Sequence, residues 1–327
     1  MSTEALVPPQ ELLDAIMRAR HPLVIAHVAP DGDAIGSVLA CGRLLHHLGK
    51  DPILACQDRV PAAFRFLPGH DRLRTEIEGF EIDMVISLDS SDPSRMGRIY
   101  ESRFNNIPLA VVDHHITNVY FGNVNWVEPE ACATAEMIYY LARAFDIEPD
   151  QEMATCILTG IVTDTRGFRT ANTTARVMNL ASRLMEAGAP LGAITEQALN
   201  SRSLDLVRLW GRALDTVAVE DGVVSAENSL RMRADLDGVI RAEGLVSFIL
   251  GVYEAKAAVV FTELAENEVE CSFRARPGYD VSQVAFEFGG GGHPLASGCT
   301  LAGTLPEVKE EVLRRLKEAV NHSNRER

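Results

Sequence analysis

The chain has 327 residues, 46% of them hydrophobic and 24% charged, and a formal net charge of −15. That length predicts two domains, and that composition predicts an ordinary soluble globular protein. The acidic balance argues against a long nucleic-acid groove or an anionic membrane as partner. It leaves room for an anionic substrate only where cations and a few arginines reverse the sign locally.

No apolar run reaches transmembrane length, and Met1-Ser2-Thr3-Glu4 lacks the basic start of a signal peptide, so a cytoplasmic location is expected. Cys41, Cys56, Cys132, Cys156, Cys271 and Cys299 are scattered without a CxxC pair and read as small core residues in a reducing compartment.

In chain order, residues 8–20 predict a helix that starts at Pro8-Pro9, with Leu12, Leu13, Ile16 and Met17 on its inner face. Pro22 to Ala26 reads as a buried parallel strand, and the loop that follows it carries His27, Asp31 and Asp33. Open α/β sheets bind ligands at such strand ends. Gly32 lets the loop turn tightly, and two carboxylates this close need a cation; beside an imidazole they suit Mn²⁺, Fe or Zn²⁺ better than Ca²⁺. A solvated Asp-Gly-Asp turn would explain this stretch alone equally well. Ala34 to Leu48 has helical spacing, with Gly49 as its stop. His46 and His47 lie in mid-helix, far from any strand end, and are read as exposed surface without a ligand role.

Pro52 to Ala55 is a second short apolar run, and the irregular residues 58–80 suggest no chemistry. Met84 to Leu88 is the next buried strand and ends in Asp89; Leu109 to Val112 is another and ends in Asp113-His114-His115. Chance turn residues could place an acid at one or two strand ends, but hardly a His-His pair as well. Asn125 to Phe145 contains a helix with Ala135, Ile138, Leu141 and Ala142 inside, and a further helix from Met153 runs into Asp164. Asn172 is the expected N-cap of a helix over residues 173–186.

Gly188-Ala189-Pro190 breaks the pattern. The expected organisation is a first domain over 1–190, a helical linker over 191–216 and a second domain over 217–327. Val217 to Val224 is a hairpin with Asp221-Gly222 as a type I′ turn, and residues 256–276 form a second hairpin that places Arg274 and Arg276 on one face. A short helix from Asp280 to Phe288 leads into Gly289-Gly290-Gly291-Gly292-His293, read as a loop. Alone that run is more simply a flexible turn than a ligand loop; beside Arg274 the balance moves toward an anion site. Thr304 and Glu307 form a capping box for the last helix.

The ordered set His27-x3-Asp31-x-Asp33, Asp89, Asp113-His114-His115, Asp164 and Gly-Gly-Gly-Gly-His293 resembles the DHH phosphoesterase superfamily over nearly the whole chain. More narrowly, it resembles the branch with a DHHA1 C-terminal domain, of the bifunctional oligoribonuclease (nano-RNase) and 3′-phosphoadenosine 5′-phosphate phosphatase type. Arg166 departs from the pattern, standing where relatives usually have glycine. The resemblance implies an α/β fold: an N-terminal parallel-sheet DHH domain and a smaller α+β DHHA1 domain. It implies two divalent ions, usually Mn²⁺ with Mg²⁺ or Co²⁺ as alternatives. His27, Asp31 and Asp89 would hold one; Asp33, Asp89, His114 and Asp164 the other.

In this reading Asp113 orients a neighbouring histidine, and His115 touches the phosphate or protonates the leaving oxygen. Arg274, Arg276, Gly290, Gly291, Gly292 and His293 would hold a substrate phosphate in a cleft between the domains. The implied activity is hydrolysis of short oligonucleotides to nucleoside 5′-monophosphates, removal of the 3′-phosphate of 3′-phosphoadenosine 5′-phosphate, or both, by hydroxide activated on two metals. A homodimer is one assembly this allows. Hydrolysis of cyclic di-AMP or linear dinucleotides is the alternative. Three others fit less well. A RecJ-like exonuclease would be longer, an inorganic pyrophosphatase would carry a Lys/Arg-rich motif, and an inactive nucleotide sensor would have a damaged metal set.

Overall fold

The first helix, α1, spans Gln10–Arg18 and buries Leu12 and Ile16, whereas Met17, expected inside, is 53% exposed. At about 100° per residue Met17 lies roughly 140° round from Leu12, on the solvent side. The chain then builds β1 (Pro22–Ile25), α2 (Gly32–His47), β2 (Ile53–Ala55), β3 (Met84–Leu88), β4 (Leu109–Asp113) and β5 (Val124–Val127). The five strands form a parallel sheet in the order β2-β1-β3-β4-β5. The edge strand β5 escapes the sequence reading because its four residues, Val124-Asn125-Trp126-Val127, are too few to establish either an apolar run or a period of two.

This computed structural model describes residues 5–100, 104, 106–236 and 240–323, and the chain divides into two units, Met1–Ser201 and Arg202–Arg327. In the first unit, α3 (Thr134–Ala144), α4 (Gln151–Asp164), α5 (Ala175–Glu186) and α6 (Leu191–Thr195) follow the sheet. One core lies between a sheet face and the helices, with Val24, Val38, Ile86, Ile138 and Ile157; a second, with Leu23, Ile25, Val85 and Val111, covers the opposite face. The irregular stretch 58–80 supplies Val60, Phe64 and Leu67 to the first core and Ile77 to the second.

Antiparallel α2 and α4 approach closely because three glycines meet there. A Cβ on Gly32 would lie 2.4 Å from the Thr163 side chain, one on Gly36 2.5 Å from the Cys156 carbonyl oxygen, and one on Gly160 2.6 Å from Asp33. The start of α2 is thereby set against the end of α4. At its other end α2 stops in a Schellman motif: Gly49, at φ +70°, donates to His46 and Lys50 donates to Leu45. The cap of α5 is Thr174, not Asn172; Asn172 accepts from Thr170 and donates to the Cys132 carbonyl instead.

The second unit contains α7 (Leu204–Leu214), β6 (Ala218–Glu220), β7 (Val223–Asn228), α8 (Leu245–Ile249), β8 (Ala257–Ala265) and β9 (Glu268–Ala275). It ends with α9 (Ser282–Glu287), β10 (Gly291–His293), β11 (Ala296–Ala302) and α10 (Leu305–Ser323). Its six-stranded sheet has the order β10-β11-β9-β8-β7-β6, antiparallel except for the β7–β8 pair. The stretch 191–216 is shared: Ile194 packs in the first unit, Leu209 and Ala213 in the second. Asp221 and Gly222 have φ +52° and +82°, the type I′ pattern. The six cysteines are buried and unpaired by disulfides. No described helix is long and apolar enough to cross a membrane.

Candidate metal and phosphoester site

Because β1, β3 and β4 are neighbours in the sheet, the residues at their carboxyl ends converge. His27 follows β1, Asp89 follows β3, and Asp113 closes β4 just before His114 and His115. Three further carboxylates sit at helix ends, of which Asp33, expected on the loop, lies inside α2. Asp31 is the N-cap of α2, its Oδ1 accepting from the Asp33 and Ala34 amides at 3.0 Å. Asp33 lies in the first turn, and Asp164 is the last residue of α4.

Asp89 is central. Its Oδ2 is 3.4 Å from His27 Nε2, and its Oδ1 is 3.6 Å from His114 Nε2 and 3.7 Å from His115 Nδ1. His27 Nε2 is also 3.9 Å from Asp31, while His114 Nε2 lies 3.9 Å from Asp33 and 3.7 Å from Asp164. Asp89 is buried and adopts φ +56°, a left-handed conformation that costs a non-glycine residue about 1–3 kcal/mol and clusters at functional sites.

His115 Nδ1 is bonded to Asp113 Oδ1 at 2.7 Å, and Asp113 Oδ2 accepts from Asn118 Nδ2 at 2.6 Å. Asn118, buried and also bonded to the Ser90 carbonyl, was not singled out in the sequence; Asx spacing alone gives it no distinguishing signal. Arg166, the departure from the family pattern, has φ +50° and is followed by Gly167 and Phe168 at +72° and +64°. Glycine would adopt that backbone without strain, so the departure touches loop shape beside Asp164.

The titration behaviour reflects crowding. Burial pushes the Asp33 carboxyl well up, and Asp89, Asp164 and Asp31 add to it. Burial likewise raises Asp164 to about 6 against the pull of His114. For His27 burial acts downward, but Asp31 and Asp89 outweigh it and hold the imidazole at about 10. The bond to Asp113 raises His115; burial acts to raise Asp113, and His115 overrides it downward.

The donor set tests well against divalent cations. Two groups, His27-Asp31-Asp89 and Asp89-His114-His115, offer ligand atoms within 4.8 Å of one another and share Asp89. Buried carboxylates that raise one another's pKa are relieved by a cation, and a mixed imidazole–carboxylate set suits transition metals. His27 Nδ1 lies 2.8 Å from the Val28 carbonyl, which leaves Nε2 facing the carboxylates.

In the second unit Arg274 is half-buried on β9 and donates through Nη1 to the Phe273 carbonyl at 2.8 Å. Arg276 lies beyond the end of β9, and its Nη2 donates to the Leu250 and Val252 carbonyls at 3.3 and 3.0 Å. The glycine run is not a loop but largely strand β10, paired with β11. A Cβ on Gly290 would sit 2.1 Å from the Gly298 carbonyl oxygen; Gly292, at φ +134°, would meet Ala296 at 2.6 Å. Backbone packing therefore accounts for both glycines, and His293 stands exposed at the sheet edge. His46 and His47 are exposed at the opposite end of α2 from Asp31, with His47 Nε2 3.2 Å from Asp150.

Two family models match the chain: the DHH family N-terminal domain over residues 22–161 and the DHHA1 domain over residues 239–322. The chain is 36% identical to the bifunctional oligoribonuclease and PAP phosphatase NrnA of Thermus thermophilus, over 92% of this chain and 91% of that one. It is 26% identical to the NrnA of Bacillus subtilis, over 92% and 93%. Among solved structures it is similar to an exopolyphosphatase-related protein from Bacteroides fragilis, with a TM-score of 0.84, 25% identity and coverage of 95% and 96%.

Proposed function

The chain belongs to the DHH family with a C-terminal DHHA1 domain, and on that premise we propose that it hydrolyses short oligonucleotides to nucleoside 5′-monophosphates and removes the 3′-phosphate of 3′-phosphoadenosine 5′-phosphate. The observation that carries the reading is Asp89, whose two carboxylate oxygens face His27 on one side and His114 on the other. In this reading His27, Asp31 and Asp89 hold one cation and Asp33, Asp89, His114 and Asp164 the other, with Mn²⁺ the preferred ion. When bound, two such cations supply Lewis acidity and a water acidic enough to attack phosphorus near neutral pH.

The chain's own groups do the rest. Asp113 accepts at His115 Nδ1 and raises the imidazole pKa, which favours the doubly protonated ring, and in this reading Nε2 is the atom that passes a proton to the leaving oxygen. Asn118 holds Asp113 in turn. Arg274 is assigned to a substrate phosphate remote from the reacting one; Arg276, engaged with two carbonyls, has the lesser part.

A net charge of −15 with two candidate arginines supports few contacts to a nucleic-acid backbone. Each phosphate contact on a single strand contributes a salt slope of about −0.7, so the slope should be that of one or two contacts. The test is a Mn²⁺-supported panel: dinucleotides, a 5′-labelled RNA length series at two salt concentrations, 3′-phosphoadenosine 5′-phosphate, cyclic di-AMP and pyrophosphate. The expected result is highest kcat/KM on the shortest oligonucleotides, falling with length, together with release of the 3′-phosphate. A preference for cyclic di-AMP or pyrophosphate would overturn the substrate assignment. So would processive digestion of long strands with a steep salt slope.

A further inference from the structure

The N-terminus of α3 closes on two carboxylates to which no motif connects it. Its N-cap, Ala133, is extended and offers no side-chain bond to the first amides of the helix. Asp33, 101 residues earlier, fills that role: its Oδ2 accepts from the Thr134 amide at 2.6 Å and its Oδ1 from the Ala135 amide at 2.9 Å. The Thr134 hydroxyl reaches the other carboxylate and donates to Asp89 Oδ1 at 3.0 Å. Thr134 is fully buried. The segment that carries it is held from behind. Glu136 accepts from the Cys132 amide at 2.8 Å and from Arg176 Nε at 2.8 Å, and Arg176 Nη2 donates to the Glu130 carbonyl at 2.9 Å.

We propose that Thr134 is a positioning residue for the cation site, resting on the reading that Asp33 and Asp89 hold cations. A carboxylate rotates freely about its last torsion, with broad, roughly two-fold minima. Asp89 Oδ1 is the oxygen that also faces His114 and His115, so its direction decides whether Asp89 can serve two ions at once. The Thr134 hydroxyl fixes that direction with a neutral donor, which competes less with a cation than an ammonium or guanidinium would. The helix amides fix Asp33 in the same way and persist whatever side chain stands at position 134. Substitution there therefore isolates the hydroxyl bond to Asp89.

The experiment titrates Mn²⁺ into the full-length chain, following unbound Mn²⁺ by electron paramagnetic resonance, and measures kcat and KM on a dinucleotide in parallel. Thr134→Val, which keeps the shape and removes the donor, should weaken Mn²⁺ binding roughly 10–100-fold, the range for ligand-orienting partners. It should lower kcat at limiting Mn²⁺ while the dinucleotide KM stays within about twofold. Thr134→Ser, which keeps the donor, should restore the wild-type Mn²⁺ affinity. If the valine variant does not fold, Thr134→Ala carries the same expectation. A folded valine or alanine variant with wild-type Mn²⁺ affinity overturns the proposal, as does a serine variant as impaired as the valine one. The metal titration uses no substrate. A wild-type chain that binds Mn²⁺ but cleaves no oligonucleotide would refute the substrate assignment and leave this result standing.

Discussion

At the ends of β1, β3 and β4 the first unit sets acid beside acid: the ion pairs of Asp31, Asp33, Asp89 and Asp164 run to His27, His114 and His115, whose charge is conditional. The second unit handles its acids differently, matching Arg212 to Asp235, Arg241 to Glu270 and Arg315 to Glu287 at its surface. Exposed pairs of the latter kind contribute little stability, around 0–1 kcal/mol each. Buried like charges, by contrast, are costly unless something else neutralises them. The lesson is that an unbalanced interior cluster, and not charge density as such, marks where a cation belongs. The two histidine pairs repeat it: His114 and His115 meet that cluster at a strand end, while His46 and His47 face solvent at a helix end.

Removing the shared carboxylate breaks the contrast most sharply. Asp89→Ala should reduce hydrolysis at least roughly 10³-fold, about 4 kcal/mol of barrier, while the far-ultraviolet circular dichroism stays that of the wild type. Next come the separate roles proposed for His115 and Arg274. His115→Ala should lower kcat by roughly 10²–10⁴ with unchanged metal content. Arg274→Ala should instead raise KM, by roughly 10–100-fold if it loses a charged hydrogen bond worth about 1.5–3 kcal/mol. Steady-state kinetics with metal analysis separates the two; loss of an ion from His115→Ala would make His115 a ligand.

A pair of glycines, one in each unit, gives a smaller effect. An added Cβ at Gly160 would press on Ala135 and Asp33, and one at Gly292 on Ala296 and Ser297. Each alanine variant should lose about 1–3 kcal/mol in thermal or urea unfolding. Only Gly160→Ala should also weaken Mn²⁺ binding, because only it displaces a carboxylate of the cluster. The smallest expected effect is at the N-cap of α4, where Asp150 accepts from the Met153 amide at 2.9 Å and pairs with Arg43. Asp150→Ala should cost about 1 kcal/mol in unfolding and leave hydrolysis and Mn²⁺ binding unchanged.

What the sequence shows and what it hides divides along physical lines. Local signals are legible: β1, β3 and β4 as apolar runs ending in acids or histidines, β2 as a short apolar run, the Asp221-Gly222 turn, and the Thr304–Glu307 cap, whose hydroxyl-to-carboxylate bond measures 2.7 Å. Periodicity alone misplaces Met17. The glycine run reads as a loop because glycine has no side chain to alternate; only its register with β11 reveals a strand. Thr134, Gly160 and Asn118 stay silent for another reason. Thr134 and Gly160 act on carboxylates remote in the chain, and Asn118 ties Asp113 to the Ser90 carbonyl that follows another strand.

The central claim, that the cluster around Asp89 holds two cations, is tested most directly by counting them. The metal-stripped chain would be reloaded with Mn²⁺, freed of excess and analysed for manganese per polypeptide. Two ions per chain, reduced in Asp89→Ala, is the predicted result. A wild-type chain that retains none, or an Asp89→Ala chain that retains both, would contradict the account.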